Sequence, residues 1–317
     1  MRRLVCMLII ALLGIFASCT HKELCYDHSH VVNLSVKFDW SDAPDAYPES
    51  MSLYIFSEDG TKPQRYELLG REGGVIRLTR GVYHAVCLNS DTRNIECRNK
   101  EDISTFLVTT RDEDGTSSTG SGFGLALSSM VLNGAEMSER VACEPEKLWT
   151  GNGYNFVVEH DGDVMMLKPQ QAVIDITISI YNAQNLRTVK TIVGTLSGLS
   201  EGMLAGTGER SDVCVTHPFE IRMSEDKSSL HANLRAFGDC LSGDKRHYID
   251  LYVMIADGSQ WKYRIDVTDE VHKATDKHHI DIVIDGLPVP EPAPGVDDGG
   301  FKPTIDDWNN IEQELQM

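Results

Sequence analysis

The sequence predicts an all-β protein built as two tandem β-sandwiches. Three observations carry that expectation. Apolar side chains recur at every second position through many short segments, Asp-Gly and other glycine signals punctuate them, and helical periodicity is scarce.

The first alternation sets Val32, Leu34, Val36 and Phe38 against Asn33, Ser35, Lys37 and Asp39. Met51 to Phe56 reads as a second strand, ending at the Asp59-Gly60 turn. Gly74 to Leu78 and, beyond Gly81, Val82 to Leu88 read as the next two, together a meander. Residues 109–124 (TTRDEDGTSSTGSGFG) form a Gly/Ser/Thr-rich loop with little to bury. Strand character returns at Tyr154–Val158, and Asp161-Gly162 is placed to turn a hairpin between 155–159 and 164–167.

A boundary near Lys168-Pro169 divides the two sandwiches, residues 31–168 and 169–286. The cleanest strand follows, with Ile174, Ile176, Ile178 and Ile180 facing inward. Further strands are expected at Phe219–Met223, Leu230–Phe237, Tyr248–Ala256, Gln260–Val267 and His279–Ile284. Asp257-Gly258 joins two of them as a hairpin, and Thr268–Ala274 reads as a helical turn with Thr268 as N-cap. Residues 287–300 are a Pro/Gly linker. In the tail, 301–317, the parity of Ile311, Leu315 and Met317 suits a strand. Ile305, Trp308, Ile311 and Leu315 suit a helix face capped at Thr304, so spacing leaves both open.

The N-terminus reads as a signal peptide over residues 1–18. Arg2-Arg3 precede an apolar run from Leu4 to Ala17, shorter than the roughly 20 residues that span a bilayer. Small residues, Ala17-Ser18, then lead to Cys19, and the string IFASC resembles a lipobox with Phe16 as its one departure. Cys19 is therefore the expected lipid attachment site, with 19–30 as a short polar tether. Several acyl chains hold a protein stably where one does not. From Cys19 onward, 27 bases face 48 acids, a formal charge of −21, which repels phosphate backbones and excludes nucleic acid as a partner.

Six further cysteines remain in an exported chain: Cys25, Cys87, Cys97, Cys143, Cys214 and Cys240. An even number allows disulfides in fifteen pairings, and buried thiols are the alternative. No CxxC or Cys/His spacing points to zinc. His28-Ser29-His30 and His278-His279 read as surface histidines, and His160-Asp161-Gly162-Asp163 as a turn and no calcium loop. There is no GxSxG, Walker loop or GxGxxG, and the four Trp read mainly as core. The expectation is a chain without enzymatic activity, metal or cofactor.

The string from Cys19 to His28 (CTHKELCYDH) resembles the opening of a domain-of-unknown-function lipoprotein family of gut and oral anaerobes. Residues 38–56, 81–95 (GVYHAVCLNSDTRNI) and 306–312 (DDWNNIE) agree with it. That family is similar in layout to fimbrillin-associated anchor and minor-subunit proteins. Residues 194–209 (GTLSGLSEGMLAGTGE), 263–271 and 279–287 resemble the crossover and closing strands of those proteins.

The resemblance implies two transthyretin-like sandwiches, a lipid on Cys19 and a surface-exposed place at the outer membrane. It further implies a structural role, as anchor, minor or tip subunit, in fimbria assembly or attachment. Such fimbriae join subunits by strand donation. The tail 301–317 is the candidate donor, with folding onto its own sandwich the alternative. A second functional expectation is a surface lipoprotein that binds glycan or host protein without forming fimbriae.

Overall fold

The computed structural model describes residues 31–113, 139–240, 245–276 and 278–293, together with the backbone of 308–312. Cys19, Cys25, His28 and His30 lie outside the described residues, as does most of the 109–124 segment. The described chain is almost wholly β, as expected.

The first half contains β1 (Val31–Phe38), β2 (Ser50–Ser57), β3 (Gln64–Leu69), β4 (Gly73–Thr79), β5 (Gly81–Asn89), β6 (Ile95–Arg98) and β7 (Leu107–Thr110). It continues with β8 (Arg140–Val141), β9 (Trp149–Val158), β10 (Val164–Leu167) and β11 (Gln170–Gln171). A sheet of order β10-β1-β4 faces one of order β11-β9-β5-β2-β3. Alternation aims Val32, Leu34 and Val36 of β1, Ile76 and Leu78 of β4, and Met165 and Leu167 of β10 into the gap. There they meet Met51, Leu53, Ile55, Ala85, Cys87 and Val158. Trp40 closes one end, edge-on to Phe38 and Trp149, its indole donating to the Arg71 carbonyl at 2.7 Å.

Two sequence expectations fail here. The second to fourth predicted strands do not form a meander. The partly exposed β3, whose polar pattern hides it in the sequence, hairpins with β2, and β4 then leaves for the opposite sheet before β5 returns to pair with β2. Asp161-Gly162 turns no hairpin, because β10 crosses over to lie parallel to β1. The carboxylates shape that corner. Asp163 accepts the Glu159 and His160 amides at 2.8 and 2.9 Å, and Asp161 accepts both the amide and the side chain of Asn33 at 2.8 Å.

The second half contains β12 (Ile174–Ala183), β13 (Val189–Ser200), β14 (Gly202–Leu204), β15 (Cys214–Glu220), β16 (Arg222–Met223), β17 (Leu230–Ala236), β18 (Tyr248–Ile255) and β19 (Gln260–Asp266). A six-residue helix, α1 (Thr268–Lys273), precedes β20 (His279–Leu287) and β21 (Trp308–Glu312). Sheets of order β16-β17-β12-β20 and β21-β19-β18-β13-β15-β8 enclose a core rich in Ile, Leu and Val. Thr268 is the first helical residue and not the N-cap; its hydroxyl donates to Asp266 and accepts the His247 amide.

Strands cross between the halves. β8 pairs in parallel with β15, and β14 pairs with β7. At the second junction Gly202 is required, since a Cβ there would run into the Val108 carbonyl. Beneath β6, β7 and β14 lies a third apolar cluster, including Tyr54, Phe56, Val86, Phe106, Leu148 and Phe237. It covers the second face of β2 and explains why six consecutive residues of that strand are buried.

Candidate functional site

An edge strand exposes unpaired amides and carbonyls to which a further strand can add, and the outer side of β19 is such an edge in this fold but for β21. One side of β19 pairs with β18 in antiparallel register. The other side is occupied by the protein's own tail: β21 runs parallel to β19, from Gln260 opposite Trp308 to Arg264 opposite Glu312. The strand reading of the tail thus holds over 308–312, and it docks on its own sheet.

Charged groups fix β19 against β18. The Arg264 guanidinium donates twice to Asp250 at 2.8 Å, and Lys262 stands 3.4 Å from the same carboxylate, which is only 5% exposed. Lys262 and Arg264 also lie over the rings of Tyr252 and Tyr248, at 5.4 and 5.3 Å. On the inward face Tyr263 is fully buried, and burial pushes its phenol up to about 12.

The start of the linker is guided along the sandwich. Leu287 and Val289 are buried in the core. The Tyr263 hydroxyl donates to the Pro288 carbonyl at 3.1 Å, and the Asn185 amide donates to the Val289 carbonyl at 2.7 Å. Farther on, the Ala293 amide donates to Asp257 at 2.8 Å. Asp257 stands at the tip of the β18–β19 hairpin, where its other oxygen accepts the amide and hydroxyl of Ser259. Donation from that hydroxyl first, with help from the Ala293 amide, holds the carboxyl below the usual carboxylate range. The chain is thus brought to the end of the sheet where β19 and β21 both begin. A parallel pairing needs such a crossover, since a tight turn can make only antiparallel neighbours. The Asp-Gly hairpin is visible in the sequence; nothing there links it to Ala293.

A second feature is a cleft of about 870 Å³ between the outward face of the β16-β17-β12-β20 sheet and residues 91–94 and 144–146 of the first half. Register places Arg235, Asp175 and His279 in one row, with Asn233, Thr177 and Asp281 in the next. Glu144 accepts from the backbone and guanidinium of Arg235 at 3.2 and 3.0 Å, and Glu146 accepts the Arg93 and Asn94 amides. Burial raises the Glu144 pKa against the pull of Arg235. Polar side chains such as Arg222, Asn233 and His279 share the lining with Ile176, Pro218, Phe219 and Leu234, and its extent suits a small ligand.

The remaining predicted residues are dispersed. Cys214 and Cys240 form a disulfide with Cα atoms 5.4 Å apart, whereas Cys87 and Cys97 are free thiols and the buried Cys143 donates through its Sγ to the Asp112 carbonyl at 3.4 Å. Burial raises the Cys87 thiol to about 12. His279 bonds Asp281 at 2.9 Å and Thr177 at 3.3 Å. No group of three or more His, Cys, Asp or Glu suited to a metal ion occurs among the described residues.

Comparison with known proteins gives four findings. A candidate fimbrium anchoring subunit of Bacteroides ovatus, Fim4B, is 26% identical over 227 residues, which are 70% of this chain and 61% of that protein. A solved structure described as a candidate adhesin from Bacteroides ovatus superposes with a TM-score of 0.61 at 19% identity, over 90% of this chain and 94% of its own, which supports the fold. The fimbrial anchor protein Mfa2 of Porphyromonas gingivalis gives a TM-score of 0.47 at 13% identity, over 80% of this chain and 90% of its own. The family model described as "Domain of unknown function (DUF5119)" matches residues 18–220, more than half of the sequence, and the chain therefore belongs to the DUF5119 family.

Proposed function

We propose that this chain is a cell-surface lipoprotein that serves as a structural subunit of a fimbrium, fixing it to the outer membrane through a lipid on Cys19. The observation that carries the reading is the parallel docking of β21 on the edge of β19, which marks that edge as competent for strand addition. The tail either seals the edge until a fimbrial partner arrives or is itself given to the partner's sheet. The name of the Bacteroides ovatus relative points the same way. The role is mechanical attachment, without catalysis or cofactor.

Two variants in cells separate the parts of this proposal. Cys19→Ala is expected to release the subunit from membranes and shed fimbriae into the medium. Deletion of residues 288–317 is expected to leave the subunit membrane-bound with no fimbriae attached. Surface-attached fimbriae in both variants would reject the proposal. The cleft beside the β16-β17-β12-β20 sheet supports a second reading, a surface protein that binds glycan or host protein. Specific binding on a glycan and matrix array by the soluble Cys19→Ala chain, lost in Arg222→Ala with Asn233→Ala, would favour it.

A further inference from the structure

We infer that both halves of the molecule are built to bear tension along the chain, because in each the first strand lies side by side and parallel with one near the end, β10 in the first half and β20 in the second. In the first half β1 and β10 pair in parallel from Ser35 opposite Val164 to Phe38 opposite Leu167. Bonds from the Ser35 amide to the Asp163 carbonyl and from the Asp39 amide to the Leu167 carbonyl, both 2.8 Å, extend that ladder. In the second half β12 and β20 pair in parallel from Asp175 opposite His279 to Ala183 opposite Leu287. Bonds from the Asp175 amide to the His278 carbonyl and from the Gln184 amide to the Leu287 carbonyl, both 2.9 Å, bracket it.

The geometry decides how a pull is resisted. When the two terminal strands are parallel, the N-terminal end of the first and the C-terminal end of the last lie at opposite ends of the ladder. Tension then slides one strand along the other and loads every bond together. Antiparallel terminal strands would be pulled from the same end and would open one bond at a time. A ladder yields sooner when water can replace its bonds, and the β12–β20 ladder is shielded on its inner face. Ile176, Ile178 and Ile180 stand directly opposite Ile280, Ile282 and Ile284, and each is at most 6% exposed. In the β1–β10 ladder the buried pairs are Val36 opposite Met165 and Phe38 opposite Leu167. Eight register pairs in the second ladder against four in the first make the first half the weaker link.

The load in the cell rests on the anchoring role proposed above, with pull entering at Cys19 and leaving beyond Leu287. The forces belong to the fold alone, so loss of acylation at Cys19 would leave them unchanged. Single-molecule pulling of the full chain tests the inference. Handles on azide-bearing residues introduced at the exposed positions Gln170 and Glu291 load β12 and β20 in shear. Handles at Gln170 and His278 load the same pair from one end. The expected result is a rupture force severalfold higher in the first geometry, and equal forces would overturn the inference.

Pulling between the two ends of the full chain should release residues 31–167 first, adding roughly 490 Å of contour, and residues 174–287 at higher force. The second step should be roughly 320 Å, because the disulfide hides a 26-residue loop, and should grow by roughly 90 Å on reduction. Release of 174–287 before 31–167 would overturn the order assigned to the two ladders.

Discussion

Replacing Tyr263 by Phe isolates one hydrogen bond that guides the tail. The ring is fully buried, and its hydroxyl donates at 3.1 Å to the carbonyl of Pro288, the first residue after β20. Phenylalanine keeps the ring packing and removes only the donor. Losing one partner of a buried bond costs about 1–3 kcal/mol, and Pro288 is half-buried, so about 1 kcal/mol is expected. Urea unfolding at pH 7 should show a lower midpoint with the slope against denaturant unchanged. The phenol supplies a second readout. Its folded pKa is pushed up from 10.0 to about 12, so the native state keeps a proton that the unfolded chain gives up. The stability this group contributes is complete below pH 10 and is lost as pH rises toward 12. The Phe variant should therefore lose stability less steeply across that window. An unchanged midpoint at pH 7 together with an unchanged alkaline slope would refute the placement of Tyr263 against Pro288.

His217 is fully buried, its Nδ1 2.9 Å from the Ala142 carbonyl, and burial lowers its pKa from 6.5 to about 4. A base depressed in the folded state stabilises above pH 6.5, and about 3 kcal/mol should be lost as pH falls to 4. His217→Asn should flatten that limb in denaturant melts taken across the range. Gly202→Ala should drive β14 off β7 and lower stability by about 2 kcal/mol or more, read as a fall in thermal midpoint. Reducing the Cys214–Cys240 disulfide should cost about 3–4 kcal/mol by freeing the enclosed loop in the unfolded chain, measured by urea unfolding with and without reductant.

What could be read from the sequence follows how local the physics is. β12 and the β18–β19 hairpin were legible because alternation and an Asp-Gly turn are written in adjacent residues. The partnership of β12 with β20 was not, since Ile176 and Ile280 carry no mark of being neighbours. The two-residue strands β8 and β11 are too short to show a period, and β3 hides because most of it is polar. Thr268 misled as a cap because the same hydroxyl serves the Asp266–His247 corner. At the candidate site, parity allowed a strand at 308–312 but could not choose its partner. That choice depends on Pro288, Val289 and Ala293 being held by Tyr263, Asn185 and Asp257, contacts that exist only once the sandwich has formed.

The exchange of β8 and β14 between the halves bears on how the polypeptide matures. The partner of β7 ends at Leu204, and the partner of β8 begins at Cys214. As the chain emerges from the ribosome or a translocation pore, its leading part cannot finish folding until the trailing part has followed. A gene truncated near residue 168 would yield a product with raw β7 and β8 edges, prone to clumping. Recombination that shuffles one half without the other should be disfavoured for the same reason.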